Sequence, residues 1–123
     1  MKILIVEDEE ILGKVLEEKF ENNDFKVSIA KDGESVLTMA KKFNPDIILL
    51  DIILPKLDGL EVLAKLKSDE DLKDIPVIML SNLNEDDKIK QALSLGAVDY
   101  MTKIQHPINE VIDKVNRYIL KAK

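Results

Sequence analysis

Four acidic residues, Glu7, Asp8, Glu9 and Glu10, stand in a row directly after a short aliphatic run, and Asp51 directly follows another. A carboxylate closing an apolar strand is partly withdrawn from water, which costs free energy without a partner. Carboxylates brought together also repel and raise one another's pKa unless a cation sits among them. Mg²⁺ suits such a set: it is a hard ion that takes one or two carboxylates, a backbone carbonyl and waters, and usually bridges to a phosphoryl oxygen. On that chemistry Asp51 is a candidate nucleophile that forms an aspartyl phosphate, with the metal and Lys103 neutralising the transferred group. Ser81 and Asn82 follow a third apolar run, and Thr102 and Lys103 a fourth. Plainer roles compete for some of these residues. Glu9 and Glu10 suit the dipole at a helix start, and Glu7 and Asp8 suit a cap. Lys103 alone fits a solvated surface lysine, and His106, the one histidine, sits before Pro107 where capping or exposure suffices.

The elements that must hold these residues follow from turn signals and periodicity, which divide the chain into five βα units. Strand one is Ile3 to Val6, and its helix runs from about Glu9 to Glu21 with Ile11, Leu12, Val15, Leu16 and Phe20 on one face. Strand two is Phe25 to Ala30. Asp32 then caps a helix carrying Val36, Leu37 and Ala40, which Asn44 and Pro45 stop. Strand three, Ile47 to Leu50, leads through a loop with Pro55 and Gly59 to a helix bearing Leu60, Leu63, Ala64 and Leu66, then a polar loop from Ser68 to Asp74. Strand four is Val77 to Leu80. Asn84, with Asp87 three residues on, marks a helix that Gly96 closes, and Ala97 to Met101 make a short fifth strand. Pro107 opens the last helix, whose buried stripe is Ile108, Val111, Ile112, Val115 and Ile119.

Strands one, three and four are uninterrupted aliphatic runs, as expected of strands covered on both faces of a parallel sheet; two and five are mixed and belong at the edges. With right-handed crossovers the expectation is a doubly wound, flavodoxin-like (βα)5 fold of the α/β class, strand order 2-1-3-4-5. Ligands in such sheets bind outside the carboxyl ends of the strands, where Glu7 to Glu10, Asp51, Ser81, Asn82, Thr102 and Lys103 stand.

The chain of 123 residues is expected to form one domain over 1–123, with no linker or second composition block. Apolar residues at 46% and charged residues at 34% fit an ordinary soluble globular protein rather than a disordered one. No stretch has the length of a membrane span or the form of a signal peptide, so a cytoplasmic location is expected. The absence of cysteine excludes disulfides, thiolate metal sites and cysteine nucleophiles. Eighteen basic against 24 acidic residues give a net charge of −6, with Arg117 the only arginine, which argues against direct binding of nucleic acid. The expected partner is a protein or a small ion.

Over essentially its whole length the sequence resembles the receiver domain of two-component response regulators, of the chemotaxis-type single-domain kind. "KILIVEDEE" resembles the opening strand and acidic pair, "PDIILLDIILPKLDGLEVLAKLK" the phosphoacceptor segment, "IPVIMLSN" the fourth strand with its hydroxyl, and "GAVDYMTK" the fifth strand and lysine. The resemblance implies that Glu7 and Asp8 hold Mg²⁺ with Asp51, and that the Ile53 carbonyl supplies a further ligand. It implies that Asp51 takes the phosphoryl group, that Ser81 hydrogen-bonds its oxygens, that Lys103 pairs with them, and that Tyr100 swings inward on activation. The implied partners are a histidine kinase, which donates from a phosphohistidine, and a downstream protein or output domain. A homodimer through helix four, strand five and helix five is a further expectation. The sequence departs from the family pattern after the lysine, where Ile104 replaces the usual proline.

Three functions compete. A phosphoacceptor switch is a signalling module more than an enzyme, assisting only its own phosphoryl transfer and dephosphorylation. A pseudo-receiver would keep the fold and the partner surface without phosphorylation, but the intact set of Glu7, Asp8, Asp51, Ser81 and Lys103 speaks against it. An FMN-binding electron carrier needs a hydroxyl-rich phosphate loop after strand one, where four acidic residues would repel the phosphate.

Overall fold

Strands and helices alternate along the chain: β1 (Lys2–Val6), α1 (Glu10–Glu21), β2 (Lys26–Ala30), α2 (Val36–Phe43), β3 (Ile47–Leu50), α3 (Gly59–Ser68), β4 (Val77–Ser81), α4 (Asp86–Ser94), β5 (Asp99–Thr102) and α5 (Ile108–Ala122). The structure is a computed structural model that describes residues 1–82, 85–103 and 107–122, the last three by backbone alone. The expected helix start at Asn84, the Ile104 departure and the His106 cap lie outside the described residues.

The strands form a parallel sheet in the order β2-β1-β3-β4-β5, with the two mixed strands at its edges as expected. Period-two alternation sorts each aliphatic run onto two faces. Leu4, Val6, Ile48, Leu50, Val77 and Met79 join the core under α2, α3 and α4. Ile3, Ile5, Ile47, Leu49, Ile78 and Leu80 join the core under α1 and α5, with Leu16, Phe20, Val111 and Val115. Each such side chain stabilises the fold by ~1.5–3 kcal/mol on burial, so the central strands anchor whatever follows their carboxyl ends.

Four details differ from the sequence-based expectation. Ile11 is 82% exposed, because the buried stripe of α1 runs through Gly13, Leu16 and Phe20. A search for apolar side chains passes over a glycine, and with it the true direction of that stripe. The helix α2 begins at Val36, and the Asp32 carboxylate instead accepts the Ser35 N–H at 3.0 Å in the turn before it. The fifth strand begins at Asp99 rather than Ala97: Gly96, at φ 111°, reverses the chain, and the Ala97 N–H closes α4 on the Ala92 carbonyl at 3.1 Å. Within the polar loop after α3, Leu72 is buried at 2% exposure and pins the loop to the core.

Candidate functional site

Register brings the acidic residues together. Val6 is paired with Leu50, so the next residues, Glu7 and Asp51, emerge side by side at the carboxyl ends of β1 and β3. The Asp51 N–H still bonds the Val6 carbonyl at 3.2 Å, and the Glu7 N–H bonds Ala30 at 2.9 Å. On the other flank Ser81 is paired with Thr102, and the Lys103 N–H bonds the Ser81 carbonyl at 2.9 Å. Strand pairing alone therefore fixes the backbone beneath Glu7, Asp51, Ser81 and Lys103.

Glu7, Asp51 and Ser81 are buried, at 3%, 5% and 0% exposure. The Lys103 ammonium lies 2.6 Å from Glu7 Oε1 and 2.8 Å from Asp51 Oδ2, with Glu9 Oε1 at 3.9 Å. The second oxygens are held as well: Glu7 Oε2 accepts the Glu9 N–H at 3.2 Å, and Asp51 Oδ1 accepts the Ile53 N–H at 3.3 Å. Glu7 thus holds the backbone just before α1 with one oxygen and faces the crevice with the other. Glu9 is the N-cap residue of α1 without a side-chain capping bond, and Glu10 pairs with Lys31 at the surface.

Two buried carboxylates share one ammonium, which leaves the trio one positive charge short. Burial pushes the Glu7 carboxyl above its ordinary range despite the hydrogen bond from Lys103. Burial alone would lower Lys103, but its bonds to Asp51 and Glu7 prevail and keep the ammonium charged. Glu7, Asp8 and Asp51 each offer an oxygen within 4.8 Å of the others, with Asp8 exposed at the mouth. Hard oxygen donors, converging and short of positive charge, fit a divalent cation such as Mg²⁺. The crevice beside them is about 130 Å³, lined by Asp8, Glu9, Asp51, Ile53, Ser81 and Asn82. That is room for a small anion and a few waters.

The loop after Asp51 owes its path to two glycines. A Cβ on Gly59 would collide with the Asp51 carbonyl oxygen and lie 2.7 Å from Ile52 Cα, and one on Gly33 would collide with the Leu57 carbonyl oxygen. Asp58 caps α3 by accepting the Leu60 N–H at 2.6 Å, completing a tight return beside the acceptor. Sequence reading marked Gly59 only as a loop residue, because close approach to a distant backbone leaves no local signature. It also missed that Lys103 bridges both carboxylates.

Tyr100 is half-buried, packs against the α2–α4 core, and its hydroxyl is hydrogen-bonded to Ser81. The aromatic expected to turn inward is already engaged with the hydroxyl residue here. Burial raises its pKa despite that bond. Asp99, one residue earlier, is tied down within the chain by Lys114 at 3.2 Å and by the Tyr118 hydroxyl at 3.0 Å.

Comparison with known proteins agrees with this geometry. The family model for the response regulator receiver domain matches residues 3–116. The chain is 42% identical over 102 residues to the alkaline phosphatase synthesis transcriptional regulatory protein PhoP of Bacillus subtilis, covering 83% of this chain and 42% of that protein. It spans about half or less of the length of the curated relatives it matches. Among solved structures, the receiver domain of the Francisella response regulator 1452 superposes with a TM-score of 0.90 at 32% identity, covering 99% of this chain and 98% of that one. The receiver domain of the Pseudomonas aeruginosa sensor histidine kinase PA1611, with a magnesium ion coordinated in its active site cleft, superposes with a TM-score of 0.86 at 27% identity, covering 96% of each chain.

Proposed function

The chain belongs to the response regulator receiver domain family, and from that premise we propose that it is a phosphorylation-dependent switch whose acceptor is Asp51. The observation that carries this reading is the buried Asp51 carboxylate, 2.8 Å from Lys103 and within 4.8 Å of the Glu7 and Asp8 oxygens. An Asp51 carboxylate oxygen attacks phosphorus; the bond from phosphorus to the kinase's imidazole nitrogen breaks, and that nitrogen leaves with the electron pair. Glu7, Asp8, Asp51 and the Ile53 carbonyl would hold Mg²⁺, which supplies positive charge for the phosphoryl oxygens. Lys103 neutralises the charge that the acceptor gains, and Ser81 hydrogen-bonds the phosphoryl oxygens. The protein thus assists its own phosphorylation and dephosphorylation without being an enzyme toward other substrates.

Receiver domains work with histidine kinases and with output partners, and this chain is proposed to do so as one unit over residues 1–123, in the cytoplasm. Among the described residues no helix is long and apolar enough to cross a membrane. Drawing Ser81 toward a phosphoryl group competes with its bond to Tyr100, which couples the crevice to the face of α4, β5 and α5. Leu93 and Val98 are exposed on that face at 46% and 38%, beside the exposed Lys90 and Arg117. They suit a homodimer or a downstream protein there, and the acidic balance disfavours direct nucleic-acid contact. A pseudo-receiver is the weaker reading, since Glu7, Asp51 and Lys103 meet in one buried cluster with Asp8 at its mouth, which a protein-binding role alone does not require.

Acetyl phosphate with Mg²⁺, followed by intact mass, tests the proposal. Wild type should gain one phosphoryl mass, lost in chelator and in Asp51→Asn. Equal gain by Asp51→Asn would overturn the assignment.

A further inference from the structure

The ammonium of Lys103 stands where positive charge is needed, but it also holds a carboxylate that the proposed Mg²⁺ must use. Its contact with Glu7, at 2.6 Å, is shorter than its 2.8 Å contact with Asp51. Both contacts are to members of the oxygen set that converges within 4.8 Å. Resting on the metal reading above, we propose that Glu7 and Lys103 form an internal counter-ion latch that weakens Mg²⁺ binding, and that the extra methylene of Glu7 makes the latch possible. For Glu7 Oε1 to serve a metal, it must give up or share its ammonium, and a divalent ion set beside that ammonium is repelled by it. Lys103 keeps Asp51 when Glu7 lets go. The latch therefore opens on the metal-ligand side and stays closed on the acceptor side.

Side-chain length decides which residue type can do this. Aspartate at position 7 would be shorter by one carbon–carbon bond, ~1.5 Å, which takes the carboxylate beyond hydrogen-bonding reach of Lys103 Nζ. Its backbone would not move, because the Glu7 N–H is fixed to the Ala30 carbonyl at 2.9 Å. The Glu7 Oε2 bond to the Glu9 N–H, at 3.2 Å, holds the carboxylate in its present orientation until it is displaced. The consequence is a trade: in the metal-free protein Lys103 partly balances both buried carboxylates, and the metal must displace part of that arrangement.

The test is a coupling cycle read as the Mg²⁺ dissociation constant, by calorimetry or amide-shift titration, for wild type, Glu7→Asp, Lys103→Met and the double variant. Glu7→Asp should tighten Mg²⁺ binding about fivefold when Lys103 is present and by less than about twofold when it is methionine. Lys103→Met alone should tighten it about tenfold or more. Equal effects of Glu7→Asp in both backgrounds, weaker Mg²⁺ binding by Glu7→Asp than by wild type, or no tightening in Lys103→Met, would overturn the latch while leaving the metal site intact. Absence of Mg²⁺ binding in all four proteins would overturn the latch together with the metal reading it rests on. Amide spectra of each variant in chelator establish that it is folded.

Discussion

Two lysines are drawn partly out of water at opposite ends of the sheet, and they meet different partners. Lys67, on α3, donates from Nζ to the backbone carbonyls of Lys73 at 3.1 Å and Ile75 at 2.8 Å, in the loop that enters β4. Lys103, leaving β5, donates to the carboxylates of Glu7 and Asp51. Burial lowers the pKa of Lys67, and the charge of Asp74 compensates only in part. Burial also acts against the charge on Lys103, but two carboxylates reverse the sign. The first lysine fixes a loop. The second balances charge, and what balances charge can be exchanged for another cation.

That contrast can be broken by substitution. The largest stability effect is expected for Lys103→Met in chelator, which leaves two buried carboxylates without their cation and should cost about 3 kcal/mol, roughly 10 °C in midpoint. Saturating Mg²⁺ should recover most of the loss, because the ion binds the folded form and restores the missing charge. Lys67→Met should cost only about 1 kcal/mol, since an apolar stem remains and neutral acceptors are left behind. Its loss should be the same with and without Mg²⁺. Thermal melts of both variants in the two conditions check the pair, and an equal response to Mg²⁺ would erase the distinction.

The smallest effect belongs to the surface pair of Lys41 and Asp69, 3.0 Å apart between α2 and the end of α3. Lys41 holds the Asp69 carboxyl below its ordinary value of 3.8. A carboxyl depressed in the folded state contributes stability above its unfolded value, and that contribution is lost as pH falls through the lower folded value. Asp69→Asn should therefore be slightly less stable than wild type near neutral pH, with the gap closing below pH 3.8 and shrinking in high salt. Melts across pH check this.

The contrast between the two lysines also marks what could be read before the structure. Central strands and edges were legible because Ile47 to Leu50 and Val77 to Leu80 have no polar interruption, and burial on both faces is the only stable fate of such runs. The proposed acceptor stood out because Asp51 closes one of them. Strand pairing then places Glu7 beside Asp51, and Lys103 next after the Ser81–Thr102 pair, so the site followed from topology. What stayed hidden depends on side-chain reach and backbone approach. The 2.6 Å contact of Lys103 with Glu7, the need for glycine at Gly59 and the carbonyl bonds of Lys67 each join residues whose sequence separation carries no periodic signal. The exposure of Ile11 was hidden for a related reason, since Gly13 sets the facing of α1 without contributing an apolar side chain.

The central claim is that the carboxylate of Asp51 carries the phosphoryl group. An acyl phosphate is reduced by borohydride to an alcohol, which converts a phosphorylated aspartate to homoserine and marks the residue permanently. After acetyl phosphate and Mg²⁺, borohydride reduction and peptide mass spectrometry should find homoserine at position 51, and none when Mg²⁺ is withheld. Homoserine at another aspartate, such as Asp8, the corresponding five-carbon amino alcohol at Glu7 or Glu9, or unmodified Asp51 in protein that has gained phosphoryl mass, would contradict the account.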